Sequence, residues 1–276
     1  MDCSGKVVLI TGGSSGIGFA LAKEFAARSA FVCLAARHED LLQAALAALP
    51  VKGPGGKAAF SADVSQPDQV AELIDHITRQ AGAPDIVINS AGVAHPGYVQ
   101  DLDLEIYHWM MDVNYYGTVH VVKAVLPGML QRGSGYIVNI GSVASRIGVF
   151  GYTAYSGSKF AVAGFTDVLR MELKPYGIDV SIVFPTDTET PQLTYENRFK
   201  PAELKYLLPE MGVVSAEQVA LKILKGMDRR IYEIYPDFGG RLLVSASRWA
   251  GAGTYAILDL LLKRSKSKVA AQINKA

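Results

Sequence analysis

Short, almost continuously apolar segments alternate along the chain with longer segments in which apolar residues recur at helical spacing. The strand-like segments are KVVLIT (6–11), AFVCLAA (30–36), KAAFSA (57–62), DIVINS (85–90), GYIVNIGS (135–142), IDVSIVF (178–184) and a weaker RIYEIYP (230–236). Apolar strands that alternate with helices are typical of a parallel sheet covered on both faces. We therefore predict an α/β fold: a single-domain, doubly wound parallel sheet of about seven strands.

Composition and charge narrow the function classes. The chain has 276 residues, of which 50% are hydrophobic, and its net charge is +1. We therefore do not expect it to bind nucleic acid, because such binding depends on neutralising many phosphates. Cys3 and Cys33 form no CxxC pair, and no HxxxH or acidic cluster indicates a metal. The N-terminus lacks the basic and long apolar regions of a secretory signal, so we expect a cytoplasmic protein.

A glycine-rich loop, TGGSSGIG, follows the first predicted strand and precedes a helix. Glycines at this point allow a tight turn and close approach of a pyrophosphate, whose charge the helix N-terminus favours. Further small or polar residues follow the third and fourth strands, at the sheet edge where α/β proteins bind ligands. The cofactor-binding residues predicted from these loops are Gly12, Ser14, Ser15, Gly16, Ile17, Gly18, Asp63, Val64, Asn89, Ala91 and Gly92.

The end of the second strand indicates which dinucleotide binds. An acidic residue at this position would bind the ribose 2′-hydroxyl of NAD, but the chain reads Ala35-Ala36-Arg37-His38. The planar guanidinium of Arg37 suits the 2′-phosphate of NADP. We therefore predict NADP(H); the alternative is that Arg37 is simply a solvated residue at a helix start.

The segment GYTAYSGSKFA (151–161) contains two tyrosines, of which only Tyr155 has a lysine, Lys159, four residues later. A lysine one helical turn away is expected to lower the pKa of a phenol and so prepare it for proton transfer. Ser142, at the end of the fifth strand, could bring its hydroxyl beside this phenol. Asn114, in a long helical stretch around 103–130, could bind a water that links Lys159 to solvent.

In order along the chain, TGGSSGIG, NSAG, Ser142 and YSGSK resemble the short-chain dehydrogenase/reductase family, over roughly residues 5–235. The resemblance implies a Rossmann-type domain and a catalytic tetrad of Asn114, Ser142, Tyr155 and Lys159. It implies that Tyr155 protonates the reduced carbonyl and that Tyr155 and Lys159 also contact the cofactor. It further implies a homodimer or homotetramer that pairs through long helices.

The segment after the sixth strand, FPTDTETPQLTYENRFKP (184–201), departs from the family by carrying Thr186 where a glycine is usual. By resemblance, Pro185, Thr188 and Thr190 still contact the cofactor. The pattern resembles the members of the family that reduce the 3-keto group of a long-chain amino alcohol. The apolar residues after Thr190 suit a lid at about 186–212 over an acyl chain, or equally a helix packed on the body. Three carboxylates remain open as partners of a substrate ammonium: Asp187, Glu189 and Glu196.

The C-terminal segment 237–276 is apolar and then basic, and follows the predicted domain 1–236. Residues 241–276 carry seven basic residues and one acidic residue, whereas the rest of the chain carries 20 and 25. Its longest charge-free run is too short for a transmembrane helix. Two interpretations stay open: an interfacial helix on the cytoplasmic face of a membrane, or a helix packed on the protein.

The leading functional hypothesis is thus NADPH-dependent reduction of a long-chain lipid ketone. A second hypothesis is reduction or oxidation of another apolar carbonyl, such as a 3-oxoacyl thioester, retinoid or steroid. A third is a catalytically silent NADP-sensing protein, which the complete tyrosine–lysine pair disfavours.

Overall fold

The computed structural model describes residues 1–50, 55–207 and 212–273, with the side chains of the last helix described as far as residue 269. Part of the expected lid (186–212) lies outside the described residues. The seven-stranded parallel sheet expected from the sequence is confirmed.

The central sheet has the strand order β3-β2-β1-β4-β5-β6-β9, and all of its neighbouring pairs are parallel. Because the order reverses between β1 and β4, a crevice opens at the carboxyl ends of these strands, where ligands bind in such sheets. The strands are β1 (Val7–Thr11), β2 (Phe31–Ala36), β3 (Gly56–Ser61), β4 (Ile86–Asn89), β5 (Gly135–Ile140), β6 (Ile178–Val183) and β9 (Glu233–Ile234), and a separate pair joins β7 (Thr188–Glu189) to β8 (Val214–Ser215).

Helices cover both faces of the sheet and create two large hydrophobic cores and a third, smaller cluster around Ile182 and Phe184. They are α1 (Gly16–Ala27), α2 (Glu39–Ala48), α3 (Pro67–Ala81), α4 (Leu104–Met110), α5 (Gly117–Arg132), α6 (Thr153–Leu173), α7 (Pro191–Glu196), α8 (Leu204–Leu207), α9 (Ala216–Asp228), α10 (Phe238–Ala250) and α11 (Gly253–Ile273). Successive strand residues face opposite sides, so Val8 packs in the core with Phe25 of α1, whereas Leu9 packs in the other with Ile77 of α3. Burial on both faces explains why the strands are apolar throughout.

The long helix expected around 103–130 is interrupted. Six residues, Met111–Tyr116, form a π-helix between α4 and α5. A π-helical turn inserts an extra residue and is frequent at functional sites. Here it carries Asn114, whose buried side chain bonds the backbone of Val93 in the loop after β4. This long-range pairing could not be read from helical periodicity.

The C-terminal segment forms α10 and α11, and both helices contact the body. Val244 of α10 is buried, and the Ser265 hydroxyl of α11 donates a 2.7 Å hydrogen bond to the carbonyl of Glu203, beside α8. The same helices expose several large apolar side chains: Phe238, Leu242, Trp249, Tyr255, Ile257 and Leu260. Within the described ranges, no helix has both the length and the apolar character needed to cross a membrane.

Candidate active site

A cavity of about 1040 Å³ lies at the carboxyl ends of the strands and continues under the segment after β6. It brings together loops that are far apart in sequence. Most of the predicted site residues line it: Gly12, Ser14, Ser15, Gly16, Ile17, Arg37, Asp63, Val64, Ala91, Gly92, Ser142, Tyr155, Lys159, Pro185, Thr188 and Thr190. Three predicted residues, Gly18, Asn89 and Asn114, lie behind this lining.

The glycine loop has the shape that a dinucleotide needs. Gly12 has φ +64°, and a Cβ there would lie 2.8 Å from the backbone nitrogen of Ala91. Gly18 packs α1 against the loop, since a Cβ would lie 2.4 Å from the carbonyl oxygen of Gly12. At the start of α1, the Ser15 hydroxyl makes no capping bond, so first-turn amides remain available to an anion. These residues fit a pyrophosphate.

Arg37 lies one residue beyond β2 at the cavity edge, with an exposed side chain. No carboxylate in the described part of the chain forms a salt bridge with it. Its backbone is held by the Ser61 hydroxyl, which donates a 3.1 Å bond to the Arg37 carbonyl. The site therefore has a free guanidinium, and no acidic side chain, immediately after β2, which fits a 2′-phosphate.

Asn89 does not line the cavity, contrary to the sequence prediction. Its side chain is buried, and Nδ2 donates a 2.8 Å bond to Oδ1 of Asn139 on the adjacent strand β5. Asn139 in turn donates to the Thr166 hydroxyl of α6 at 2.9 Å. The cross-strand partner turns Asn89 into the protein interior, so it joins β4 to β5, while the next loop residues line the cavity.

Tyr155 lies in the first turn of α6 and faces the loop after β5, where Ser142 caps a short 3-10 turn. Burial raises the pKa of Tyr155, and the nearby Glu196 carboxylate raises it further, while the Ser142 hydroxyl lowers it. The net direction is upward, so the phenol keeps its proton at neutral pH. A protonated phenol in contact with a hydroxyl donor can give a proton to a carbonyl oxygen.

Lys159 lies one helical turn after Tyr155, and its Nζ is 5.7 Å from the phenol ring centroid. Nζ donates a 2.8 Å hydrogen bond to the carbonyl of Ile140 at the end of β5. Burial lowers the pKa of Lys159 to about 8. The Tyr155 pKa is raised by burial and by Glu196, and the lowering of that pKa by Lys159 stays a prediction.

Asn114 supports the site from behind. Its Oδ1 accepts from the Val93 amide at 2.8 Å, while Nδ2 donates to the Val93 carbonyl and to the Ser158 hydroxyl, both at 2.9 Å. Both Nδ2 protons are thus used to join the loop after β4 to α6. A Cβ at Gly92 would lie 3.3 Å from Asn114 Oδ1 and 3.5 Å from Lys159 Nζ, so the asparagine and Lys159 both face Gly92.

One contact at the cavity was not predicted. Glu196, at the end of α7, is only 8% exposed. Its two carboxylate oxygens accept hydrogen bonds from the Tyr152 hydroxyl at 2.7 Å and from Gln192 Nε2 at 2.8 Å. Burial raises the pKa of Glu196. Glu196 was one of three carboxylates considered from the sequence as partners of a substrate ammonium. No local pattern linked it to Tyr152, which lies 44 residues away along the chain.

The segment after β6 forms one wall of the cavity. Its strand β7 pairs with β8, and its aromatic residues pack on the loop after β4. The His95 ring lies 4.4 Å from that of Phe199, and His95 Nδ1 is 2.7 Å from the Tyr195 hydroxyl. These contacts pack the segment on the loop after β4, and the lid over an acyl chain stays a prediction.

Comparison with known proteins agrees with this geometry. Residues 6–200 match the short chain dehydrogenase family, so the chain belongs to that family, and the resemblance stated above is confirmed. It is therefore an oxidoreductase that uses a nicotinamide cofactor on a ketone or alcohol.

A relative from Bos taurus, 3-ketodihydrosphingosine reductase, is 39% identical over 225 residues, which cover 80% of this chain and 68% of the relative. A short-chain dehydrogenase/reductase from Burkholderia phymatum in complex with NAD aligns with TM-score 0.81 and 25% identity, covering 91% of this chain and 95% of that one. A short-chain dehydrogenase from Sphingobium yanoikuyae in complex with NADPH aligns with TM-score 0.76 and 31% identity, covering 91% and 93%.

Proposed function

We propose that this enzyme reduces 3-ketodihydrosphingosine to dihydrosphingosine with NADPH, a step of sphingolipid synthesis. The observation that carries the proposal is the pairing of two facts. The chain is 39% identical to a 3-ketodihydrosphingosine reductase, and its Ser142, Tyr155 and Lys159 line one cavity together with the glycine loop. The cavity, about 1040 Å³, is large enough for a dinucleotide and part of an acyl chain.

The glycine loop and Arg37 would hold NADPH, which when bound would supply the hydride for the carbonyl carbon. Tyr155 donates its proton to the carbonyl oxygen, which becomes the product hydroxyl, and Ser142 hydrogen-bonds the same oxygen. Lys159, with its pKa of about 8, is the nearby cation that would stabilise the resulting phenolate, and it would also contact the cofactor ribose. Asn114 acts as a positioning residue by holding the loop after β4 against α6.

The residues around the adenosine end favour NADP over NAD. Arg37 follows β2 without an acidic neighbour on its N-terminal side and without a salt-bridge partner in the described ranges. Asp63, whose Oδ1 accepts bonds from the Ser65 amide and hydroxyl at 2.9 and 2.8 Å, lies at the neighbouring strand end. Arg37 would bind the 2′-phosphate, while Asp63 and Val64 would lie against the adenine.

The experiment that tests the proposal is consumption of NADPH with 3-ketodihydrosphingosine, run beside a short 3-oxoacyl thioester. We expect fast turnover of the sphingoid ketone only. Tyr155→Phe should lower kcat by at least about a hundredfold, the size of a general-acid contribution, while NADPH affinity stays near normal. Turnover of the thioester alone would agree with the proposed roles of the catalytic residues but would reject 3-ketodihydrosphingosine as the substrate.

We further propose that α10 and α11 attach the enzyme to the cytoplasmic face of a membrane. Trp249 is 93% exposed and Phe238 is 78% exposed, and the basic cluster Lys263–Lys268 follows on α11. Exposed aromatic residues beside basic ones suit the headgroup region of anionic lipid. Truncation after Pro236 should abolish co-sedimentation with anionic liposomes; unchanged binding would reject the attachment.

Finally, we propose that the enzyme pairs with a second copy through α6. On this helix Phe160, Val168 and Met171 are exposed, and Cβ atoms at Gly157 and Gly164 would have no neighbour within 4 Å in the described structure. Large apolar side chains beside open glycines make a surface on which another helix can pack closely.

A further inference from the structure

The buried carboxylate of Glu196 has acceptor positions that the described protein does not use. An ionised carboxylate offers about four lone-pair positions, and here Tyr152 and Gln192 occupy two. Glu196 also lines the same cavity as the catalytic tyrosine. A further donor from the cavity can therefore reach it.

Within the described residues Glu196 forms no salt bridge, and its side-chain hydrogen-bond partners are the neutral Tyr152 and Gln192. The charge of Lys200, in the same segment, lowers the pKa of Glu196, but its Nζ forms its 2.8 Å salt bridge with Asp187. Burial without a paired cation raises the pKa of Glu196. A cationic ligand group placed beside Glu196 would restore the balance of charge, so the environment favours a cation over a neutral group.

The other two carboxylates suggested by the sequence are less suitable. Asp187 lines the cavity, but its side chain is 58% exposed and already paired with Lys200. Glu189 is exposed on β7 and lies outside the cavity lining. Water screens an exposed carboxylate, so neither would bind a cation as strongly as a buried one.

Glu196 is also close to the reacting position. Tyr152 donates to Glu196, and its ring centroid is 5.7 Å from that of Tyr155. The negative charge of Glu196 is felt at both Tyr155 and Lys159, whose pKa values it raises. In a 2-amino ketone the ammonium nitrogen and carbonyl oxygen are separated as in a peptide unit's N–Cα–C=O, by about 3 Å. A carbonyl bound at Tyr155 would thus direct its ammonium toward this neighbourhood.

We propose that Glu196, oriented by Tyr152, binds the ammonium group next to the substrate carbonyl and so selects amino ketones over uncharged ketones. This inference rests on the proposed function, because it names the part of the same site that recognises the amine. Glu196 is a specificity residue in this scheme, whereas Tyr155 remains the proton donor.

Glu196→Gln tests the charge with little change of shape. The glutamine can still accept from Tyr152 but is neutral. We expect kcat/KM for 3-ketodihydrosphingosine to fall about tenfold to a hundredfold, the range for a hydrogen bond to a charged group, and kcat/KM for its analogue without the amino group to stay within about twofold. Glu189→Gln, the same substitution on the same segment, should leave both values unchanged.

Equal losses on the charged and uncharged ketones would overturn the proposal, since they would mean that Glu196 only supports the lid. Loss of neither would also overturn it. Tyr152→Phe, which keeps the charge but removes its donor, should cause a smaller loss that is again confined to the amino ketone. A different result would reject the proposed function itself: the wild-type enzyme would reduce other carbonyls but not the amino ketone.

Discussion

Gly12→Ala is expected to damage both stability and cofactor binding, because the position combines two restrictions. Its φ of +64° lies in the left-handed region, and a Cβ would approach Ala91 N and Ser90 O to 2.8 Å. Both contacts are backbone atoms of the loop after β4. To reach an ordinary contact of 3.4 Å, that loop must retreat by about 0.6 Å. The Ala91 amide would then lose its 3.1 Å hydrogen bond to the Thr11 hydroxyl.

Gly133→Ala is a matched control for the first restriction. Gly133 ends α5 with φ +65°, but a Cβ there has no described neighbour within 4 Å. Its substitution should therefore lower the free energy of unfolding only by the left-handed penalty, about 1–2 kcal/mol. Gly12→Ala adds the cost of overpacking, about 1–3 kcal/mol, for a total of about 2–5 kcal/mol. The two variants should differ by the overpacking alone.

Urea unfolding followed by circular dichroism measures both free energies, and titration of NADPH fluorescence measures affinity. We expect Gly12→Ala to raise the Kd for NADPH at least about tenfold, since 1.4 kcal/mol of loop distortion corresponds to that factor. Gly133→Ala should bind normally. If Gly12→Ala were as stable as Gly133→Ala and bound NADPH with wild-type affinity, the close approach of the two loops would not have the importance derived from the structure.

Three further outcomes are expected. Arg37→Asp should reverse the preference from NADPH to NADH in kcat/KM, because it replaces a guanidinium that binds the 2′-phosphate with a carboxylate that accepts a hydrogen bond from the 2′-hydroxyl. Equal use of both cofactors by the wild type would contradict this role of Arg37. Lys159→Met should abolish activity yet raise the free energy of unfolding at pH 7 by about 2 kcal/mol. The variant no longer bears the cost of keeping a charged lysine buried, but it loses the hydrogen bond to the Ile140 carbonyl, which offsets part of the gain. The pKa of Lys159 is about 8 in the folded protein and 10.5 in the unfolded chain, so the stability of the wild type rises as the pH increases from 8 to 10.5. The stability difference between Lys159→Met and the wild type should shrink over the same interval. A difference that does not change with pH would argue against a buried charge. Met171→Glu should shift the enzyme toward monomer in light scattering, and an unchanged mass would place the pairing surface elsewhere.

Much of the site could be predicted because local chemistry determined it. The glycine loop needs glycines at the turn between β1 and α1, and Tyr155 and Lys159 are neighbours on one helix face whatever surrounds them. Arg37 follows from its place directly after β2. Each of these residues depends on its own element and on the edge of the sheet where that element ends.

Other residues could not be placed in this way. Asn89 is the last residue of β4, where a binding residue is expected, yet its side chain is buried and bonds Asn139 on β5. Burial raises the pKa of Tyr155, and Glu196, which approaches from another segment, raises it further. The π-helix around Asn114 accompanies its contact with Val93, which no periodicity records.

Hydrophobic periodicity and turn chemistry thus specified the α/β sheet, the order of its elements and the proximity of Tyr155 to Lys159, since these arise from interactions among residues close in sequence. Long-range packing decided the charge environment: which carboxylate is buried beside Tyr155, and where the tail contacts the segment around α8. Burial and electrostatic interaction depend on distances between elements, and those distances exist only once the chain has folded.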